Sequence, residues 1–234
     1  ECLRSVGVDA KAVTTHANNR NYTTQAIRCK SKVDLNKYTS ETDIIIFMHS
    51  QYIGTNVDLT SKKVIVFHTG SRARKRPGLM NKIFNPIVDM TLTAADLYNM
   101  GGKNEHYVPV PIDLVGLQPD YSFNKLVVGH FPSGTKGESI IKKVMEKFPN
   151  IDFRLDKNIV PWEDNIKRMS ECDIIIEDLR QTQAGILTSG LGITALEAAA
   201  LGKIVMTRLL YVDKYEKDIG KLPIWITNDA KDLY

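Results

Sequence analysis

The chain of 234 residues has no apolar run close to the roughly 20 residues that a membrane-spanning helix needs. It is also poor in cysteine: Cys2, Cys29 and Cys172 are far apart and form no Cys-x-x-Cys pair. This spacing disfavours a disulfide framework and a zinc site, and it favours a reducing compartment. The chain contains no recognisable leader pattern. We therefore expect a globular protein of the cytoplasm.

Basic residues are concentrated in the first half of the chain. Residues 1–118 contain 15 Lys and Arg against 10 Asp and Glu, a net charge of +5, whereas residues 119–234 have a net charge of −1. Four of the basic residues, Arg72, Arg74, Lys75 and Arg76, lie in one short segment that we predict to be a loop. This segment either faces an anionic partner or membrane surface, or is an ordinary solvated loop.

Short apolar runs alternate with helical patterns in both halves, which is typical of parallel βα units. Runs such as DIII and VIVF are apolar on both faces, as expected for strands that helices cover on both sides. The predicted strands cover 9–15, 43–49, 63–68, 90–94, 106–110, 125–131, 152–156, 173–178, 203–208 and 223–227. The predicted helices cover 79–87, 94–100, 137–148, 162–171, 192–201 and 212–219, and a helix ends near residue 7. We therefore expect an α/β fold.

The segment 108–124, VPVPIDLVGLQPDYSFN, contains three prolines and has neither a helical nor an alternating period. Because proline lacks the backbone donor that a central strand needs, this segment is predicted to be a linker. The sequence thus predicts two Rossmann-like domains, residues 1–118 and 119–234, with parallel sheets and a cleft between them. Ligands of such sheets bind beyond the carboxyl ends of the strands, so we expect the site to face that cleft.

A helix start with two glycines is the first candidate binding feature. In SGLGITALEAAALGK, residues 189–203, Gly190 and Gly192 precede a run of small apolar residues in which Glu197 is the only charge. Free backbone N–H groups and the helix dipole favour phosphate at such a start, and glycine allows close approach. Glu197, about a turn and a half later, is placed to accept hydrogen bonds from a ribose. An ordinary structural helix has the same pattern, and that alternative stays open.

A second strand, loop and helix follow the same plan at 127–148. His130 ends the strand, and Lys136 and Gly137 stand at the helix start, where a cation can meet phosphate. Glu177 and Asp178 end another predicted strand and either contact a sugar or have no function.

Residues 125–208 resemble the nucleotide-sugar domain of GT-B glycosyltransferases, in particular the retaining family-four group. The Gly-Arg...Lys-Gly segment of that group appears here as Gly129-His130...Lys136-Gly137. Its Glu-Gly-Phe-Gly...Glu-Ala-Met-Ala-x-Gly-x-Pro-Val segment appears as SGLG at 189–192 and EAAALGKIV at 197–205. The first half fits more loosely, through VIVFHTG, which contains His68, and through VPVPIDL.

The resemblance implies a metal-independent hexosyltransferase that moves a sugar from a UDP- or GDP-sugar to a glycan, lipid or protein acceptor, with retention. It implies no resident cofactor, no metal site and no nucleic-acid partner, and the absence of Asp-x-Asp agrees with this. Residues 1–118 would form the acceptor side, with a peripheral membrane contact through their basic residues, and residues 119–234 would bind the donor. It also implies that the first strand and the last helix of the fold lie outside this chain.

The resemblance assigns each candidate residue a role. The implied donor and phosphate contacts are His130, Lys136, Gly137, Ser189, Gly190, Leu191, Gly192 and Glu197; the implied nucleobase contacts are Val160 and Pro161; and the implied acceptor side is His68, Arg72, Arg74 and Arg76. Among these, His68, Lys136 and Glu197 are the implied catalytic residues.

The chain departs from the family pattern at two positions: Ser189 replaces the first Glu of its Glu-x7-Glu pair, and His130 replaces its Arg. Two alternatives to a transferase therefore stay open, a nucleotide-sugar epimerase of the same fold and a non-catalytic nucleotide-sugar binding protein.

Overall fold

The computed structural model describes residues 2–14, 26–29, 32–48, 57–69, 71–94, 97, 100–110, 112, 114–122, 126–132, 134, 136–180, 182–183, 186–187, 191–228 and 231–233. Its contacts divide the chain into two compact units, Glu1–Pro111 and Ile112–Tyr234. The division falls inside the predicted linker 108–124, whereas the sequence placed the boundary after residue 118. The described residues of that linker form neither helix nor strand.

The described elements of the first unit are, in chain order, α1 (Cys2–Ser5), β1 (Val13–Thr14), β2 (Ile27–Arg28), α2 (Lys32–Thr39), β3 (Ile44–Met48), β4 (Lys63–His68), α3 (Ser71–Lys75), α4 (Pro77–Phe84), β5 (Met90–Thr93) and β6 (Glu105–Tyr107). Four of the strands form a parallel sheet of order β3-β4-β5-β6, and β1 and β2 form a separate parallel pair.

The core of the first unit lies between β4 and α4. Successive side chains of a strand alternate between its two faces, so Val64, Val66 and His68 point to the same side of β4, and all three are buried. Met80 and Phe84, four residues apart on α4, pack against this cluster. The sheet and α4 thus share one apolar core.

The described elements of the second unit are β7 (Val127–His130), α5 (Glu138–Met145), β8 (Asp152–Leu155), α6 (Trp162–Ser170), β9 (Ile174–Ile176), β10 (Thr182–Gln183), β11 (Ile186–Leu187), α7 (Ile193–Ala200), β12 (Ile204–Thr207), α8 (Val212–Ile219), β13 (Trp225–Ile226) and a 3₁₀ turn (Lys231–Leu233). Five of the strands form a parallel sheet of order β13-β12-β9-β7-β8, and β10 and β11 form a small antiparallel pair.

The strand order of this sheet reverses direction beside β7. The chain passes from β7 to β8 on one side, then returns to place β9 on the other side of β7 and continues outward through β12 and β13. In open parallel sheets, the loops that leave two strands at such a reversal diverge and leave a crevice at the carboxyl edge. The carboxyl ends of β7 and β9 are therefore the position in this unit where a ligand is expected.

The α/β class and the parallel sheets predicted from the sequence are confirmed. The predicted helix over 94–100 is wrong at its described residues, since Ala94, Leu97 and Met100 lie outside any helix. The N–H group of Met100 donates to Glu105 Oε1 (2.8 Å) rather than to a carbonyl four residues earlier. The sequence also missed α2, α3, β2 and the β10–β11 pair. None of the described helices is both long enough and apolar enough to cross a bilayer.

Candidate functional site

The loops that follow β7 and β9 are joined at the reversal point of the second sheet. Lys136 Nζ donates to Glu177 Oε1 (2.9 Å), and the N–H group of Leu179 donates to the carbonyl of Lys136 (3.1 Å). The side chain of Glu177 is 4% exposed and that of Lys136 is 17% exposed, so this ion pair is largely shielded from water. The predicted phosphate cation is thus held at the carboxyl edge by a carboxylate from the neighbouring strand.

Glu177 has a hydrogen-bond partner on each oxygen. While Oε1 accepts from Lys136, Oε2 accepts from the hydroxyl of Thr207 (3.1 Å), the last residue of β12. Glu177 therefore links the loop after β7 to the ends of β9 and β12. The sequence left this residue open between a sugar contact and no function; in the structure both of its carboxylate oxygens bind protein groups, Lys136 and Thr207.

The start of α7 lies against this carboxylate. Gly192 precedes the first residue of the helix, and a Cβ added there would collide with Glu177 Oε1. The helix has no side-chain cap and no acidic residue in its first turn, so its first N–H groups keep the partial positive charge of a helix end. Leu191 beside it is buried, whereas Ser189 and Gly190 lie outside the described residues.

Gly137, at the start of α5, has a φ of +89°, in the left-handed region that favours glycine. A Cβ at this position would approach the carbonyl carbon of Leu179 to 3.0 Å. This glycine therefore allows the loop after β7 to lie close to the loop after β9.

Glu197 lies inside α7 and is only 7% exposed. Its Oε1 accepts a hydrogen bond from the indole N–H of Trp162 (2.8 Å), and the described structure gives its Oε2 no hydrogen-bond donor. Burial raises the pKa of this carboxyl, and the bond from Trp162 opposes the increase. The sequence left Glu197 open between a ribose contact and a residue of an ordinary structural helix; the structure buries it and places the indole of Trp162 against its carboxyl.

The segment that carries Val160 and Pro161 connects β8 to α6 and is held by Arg168. Its guanidinium pairs with Asp156 (3.1 Å) and donates to the carbonyl of Asn158 (3.2 Å), and it lies over the ring of Phe131. Pro161 is the residue immediately before α6, and Val160 is half-buried. The bond from Trp162 brings the end of this segment next to Glu197.

The expectation that His130 meets phosphate as a cation is not supported. The imidazole is fully buried, and its Nδ1 donates to the carbonyl of Ile176 (2.7 Å). Burial lowers the pKa of His130 below its ordinary value, so the ring is neutral at neutral pH. All four residues of β7, which lies between β8 and β9 in the sheet, are buried. His130 therefore holds β9 against β7.

His68 is likewise fully buried, in contrast to the acceptor-side position expected from the sequence. Its ring lies edge-on to that of Phe84, with 5.5 Å between the centroids. Burial lowers the pKa of His68, and the nearby Glu105 opposes the decrease. These surroundings are those of a core residue and give no support to a catalytic role.

The basic segment 71–76 is not a loop, as the sequence predicted, but the short helix α3 and the residue that joins it to α4. Arg72, Lys75 and Arg76 are exposed and Arg74 is half-buried, because Ala73 turns the apolar side of this helix into the core. The exposed charges are therefore presented by a helix.

Sequence reasoning missed Thr207, Trp162 and two further polar groups near the same edge of the sheet. Arg208 Nε and Thr227 Oγ1 belong to the residues that follow β12 and β13, and both atoms are buried with no hydrogen-bond partner among the described residues. Polar residues directly after apolar strands were the available signal. Among the described residues, no group of three or more His, Cys, Asp or Glu side chains is arranged to hold a metal ion.

The second unit also has an open groove of about 750 Å³ at the opposite edge of the sheet. It is lined mainly by residues at the amino ends of β12 and β13, with Tyr121 and Trp225 exposed beside it. Its lining is largely apolar, and Lys203, the one charged residue among the lining residues that the structure describes, donates to the carbonyl of Asp120 (3.3 Å). The groove therefore lacks the phosphate-binding features found at the carboxyl edge.

No protein-family model matches this chain, and no curated protein does. The site must therefore be interpreted from its own geometry.

Proposed function

We propose that this chain is a glycosyltransferase whose second unit binds a nucleoside diphosphate sugar at the carboxyl edge of the five-stranded sheet. The observation that supports it best is the grouping of Lys136, the uncapped start of α7 and Glu197 around the point where the strand order reverses. These are one cation, one helix N-terminus and one carboxylate, the groups that a diphosphate and a ribose require.

The diphosphate would lie at the start of α7. Because Glu177 already neutralises Lys136, the attraction for a further anion comes from the free N–H groups of the helix and its dipole. Lys136 has three N–H donors and uses one of them on Glu177, so two remain for phosphate oxygens. The departing diphosphate would be stabilised by these fixed donors without a metal ion.

The ribose would bind Glu197 through Oε2, the oxygen that Trp162 leaves available. The nucleobase would then lie near Val160 and Pro161. UDP- and GDP-sugars are the donors that the sequence resemblance favours, and retention is the stereochemical outcome that it implies. Arg72 and Arg76, which are exposed, and the half-buried Arg74 would contact an anionic glycan, lipid or protein acceptor. The reaction would take place in the cytoplasm or at its membrane surface.

A non-catalytic nucleotide-sugar binding protein is the second candidate. The observation that favours it is that His68 and His130 are both buried with lowered pKa values, while Lys136 is paired. Proton transfer requires a group within reach of the substrate, and neither histidine offers one. The same observation weighs against an epimerase, which needs acids and bases that face the donor.

A thermal-shift screen with UDP, GDP, ADP and their sugars tests the proposal. A ligand that binds only the native state raises the unfolding temperature by mass action. For the best ligand, slow hydrolysis of the nucleotide sugar without acceptor would indicate a transferase, whereas binding without turnover would indicate the second candidate and sugar inversion an epimerase. If none of these nucleotides shifts the unfolding temperature, the proposal fails.

A further inference from the structure

Trp162 combines an exposed aromatic surface with direct contact to the buried carboxylate. It is the first residue of α6, it is 36% exposed, and its indole N–H donates to Glu197 Oε1 at 2.8 Å across 35 residues of chain. We propose that Trp162 is the platform on which the nucleobase stacks, and that its N–H group positions Glu197 for the ribose. This inference rests on the proposed function, in that it takes the ligand to be a nucleotide.

The hydrogen bond fixes the orientation of both side chains. Rotating the indole away would leave a buried carboxylate oxygen without a donor, which is costly. Helix α6 lies beside α7, and both begin at the carboxyl edge of the sheet, so the bond joins the first turn of one helix to the middle of the other. The ring and the carboxylate are therefore held together before a ligand binds.

The position of Trp162 matches the geometry of a nucleoside. A nucleobase is bonded directly to its ribose, so a ribose held by Glu197 Oε2 brings the base next to the group that contacts Glu197. That group belongs to Trp162, an exposed residue, and Ile159 adds exposed apolar surface three residues earlier. Stacking on an aromatic ring suits any base, because every base has a π face.

The contact also affects the ionisation of Glu197. The indole N–H lowers the pKa that burial raises. On the helix that carries Trp162, the carboxyls of Glu163 and Asp164 are in the first turn and belong to exposed residues, and α7 contains no charged residue besides Glu197. Removing the N–H group should therefore raise the pKa of Glu197 further, and nucleotide affinity should fall at a higher pH on acidification.

Two tryptophans in the chain make a direct test possible. In Trp225→Phe, Trp162 is the only tryptophan and reports on its own surroundings; in Trp162→Phe the ring surface is largely kept but the N–H group is lost. Trp225 lies in β13 beside the groove at the opposite edge, so it serves as the matched control. The probe is UDP, GDP or ADP, whichever gives the largest thermal shift with the unaltered chain, and calorimetry measures its binding in parallel.

We expect the nucleotide to quench tryptophan fluorescence in Trp225→Phe but not in Trp162→Phe. Trp162→Phe should bind about tenfold more weakly, the scale of one hydrogen bond to a charged group, and its affinity should fall at higher pH than that of Trp225→Phe. Binding by calorimetry with no change in Trp162 fluorescence, or an unshifted pH profile, would overturn the inference and leave the proposed function standing. No binding to the unaltered chain would overturn both. The Trp225→Phe measurement leaves Trp162 intact, so it decides the matter even if Trp162→Phe folds poorly.

Discussion

Glu197 is the residue at which stability and binding oppose each other. A carboxylate in an apolar helix costs free energy when it is ionised, and one hydrogen bond from Trp162 offsets only part of that cost. Such a group is more easily explained by a ligand than by folding. The Lys136–Glu177 ion pair raises the same question, since both of its charges are largely removed from water.

Replacing Glu197 tests its role in binding. Glu197→Ala should weaken nucleoside diphosphate binding by roughly 1–3 kcal/mol, the scale of hydrogen bonds to a charged acceptor, without unfolding the protein. Titration calorimetry measures this change directly. An unchanged affinity would remove Glu197 from the site.

The same carboxyl should make stability depend on pH in the direction set by its raised pKa. Because the folded state favours the protonated carboxyl, Glu197 contributes its full stabilising free energy when the pH is below the ordinary pKa of 4.5. That contribution is lost as the pH rises through the pKa of Glu197 in the folded state. Glu197→Gln should therefore be more stable than the unaltered chain at neutral pH, with the difference vanishing in acid. Urea unfolding at both pH values provides the comparison, and a difference independent of pH would argue against a raised pKa.

Lys136 should discriminate between a diphosphate and a nucleoside. Lys136→Ala removes donors that only phosphate oxygens use, so we expect UDP or GDP affinity to fall by roughly 1.5–3 kcal/mol while uridine or guanosine affinity changes little. Lys143→Ala is the matched control, because Lys143 is an exposed lysine of α5 outside the candidate site. The ratio of the two affinities is insensitive to a general loss of stability. Equal losses for nucleoside and diphosphate would contradict the assignment.

At the scale of elements, the start of α7 depends on a glycine that leaves room for a carboxylate. A Cβ at position 192 would collide with Glu177, which Lys136 and Thr207 hold from both sides. Gly192→Ala should therefore cost about 1–3 kcal/mol of stability, as overpacking does, and should weaken nucleotide binding. Gly78→Ala, in the first turn of α4 with nothing within 4 Å of the new Cβ, should instead stabilise by about 0.5–1 kcal/mol. Chemical unfolding of both variants is the measurement, and equal effects would show that Glu177 does not constrain α7.

The sequence could predict most of the helices and strands, but not which of them lie side by side in the fold. Runs that are apolar on both faces, such as that of β9, identify buried parallel strands. Helix α8 was predicted at its observed bounds. The partner of Glu177 could not be predicted, because β9 lies beside β7 only through a reversal of strand order that local patterns do not encode. The contact of Trp162 with Glu197 was hidden for the same reason. The burial of His130 could not be predicted either, because a strand-end position says nothing about what packs around the side chain.

At the scale of the whole chain, positive charge and phosphate-binding features belong to different units. The first unit, residues 1–111, contains 15 Lys and Arg against 9 Asp and Glu, a net charge of +6, partly on α3 and Arg76, whereas the candidate donor site lies entirely within the second unit. Under the proposed function, this separation assigns donor and acceptor to different units. It could be read from the sequence, since it depends on composition rather than on contacts.

Neutralising the basic segment tests this separation. Changing Arg72, Arg74, Lys75 and Arg76 to Gln should reduce binding to anionic liposomes in a salt-dependent way, because exposed charges act over about 10 Å at 0.1 M salt. Nucleotide affinity should stay the same. A second variant with Lys142, Lys143, Lys147 and Lys167 changed to Gln loses the same charge from exposed positions of the second unit. Equal liposome binding by the two variants would make the first segment an ordinary solvated surface.

The location of the nucleotide site is the central claim, and amide hydrogen exchange of the whole chain measures it most directly. The exchange would be compared with and without the nucleoside diphosphate that gives the largest thermal shift. The account predicts slower exchange at 136–138, 156–164 and 191–197, the segments that contain Lys136, Trp162 and Glu197, and no change at 222–226 in the groove at the opposite edge. Protection confined to that groove or to the first unit would contradict it.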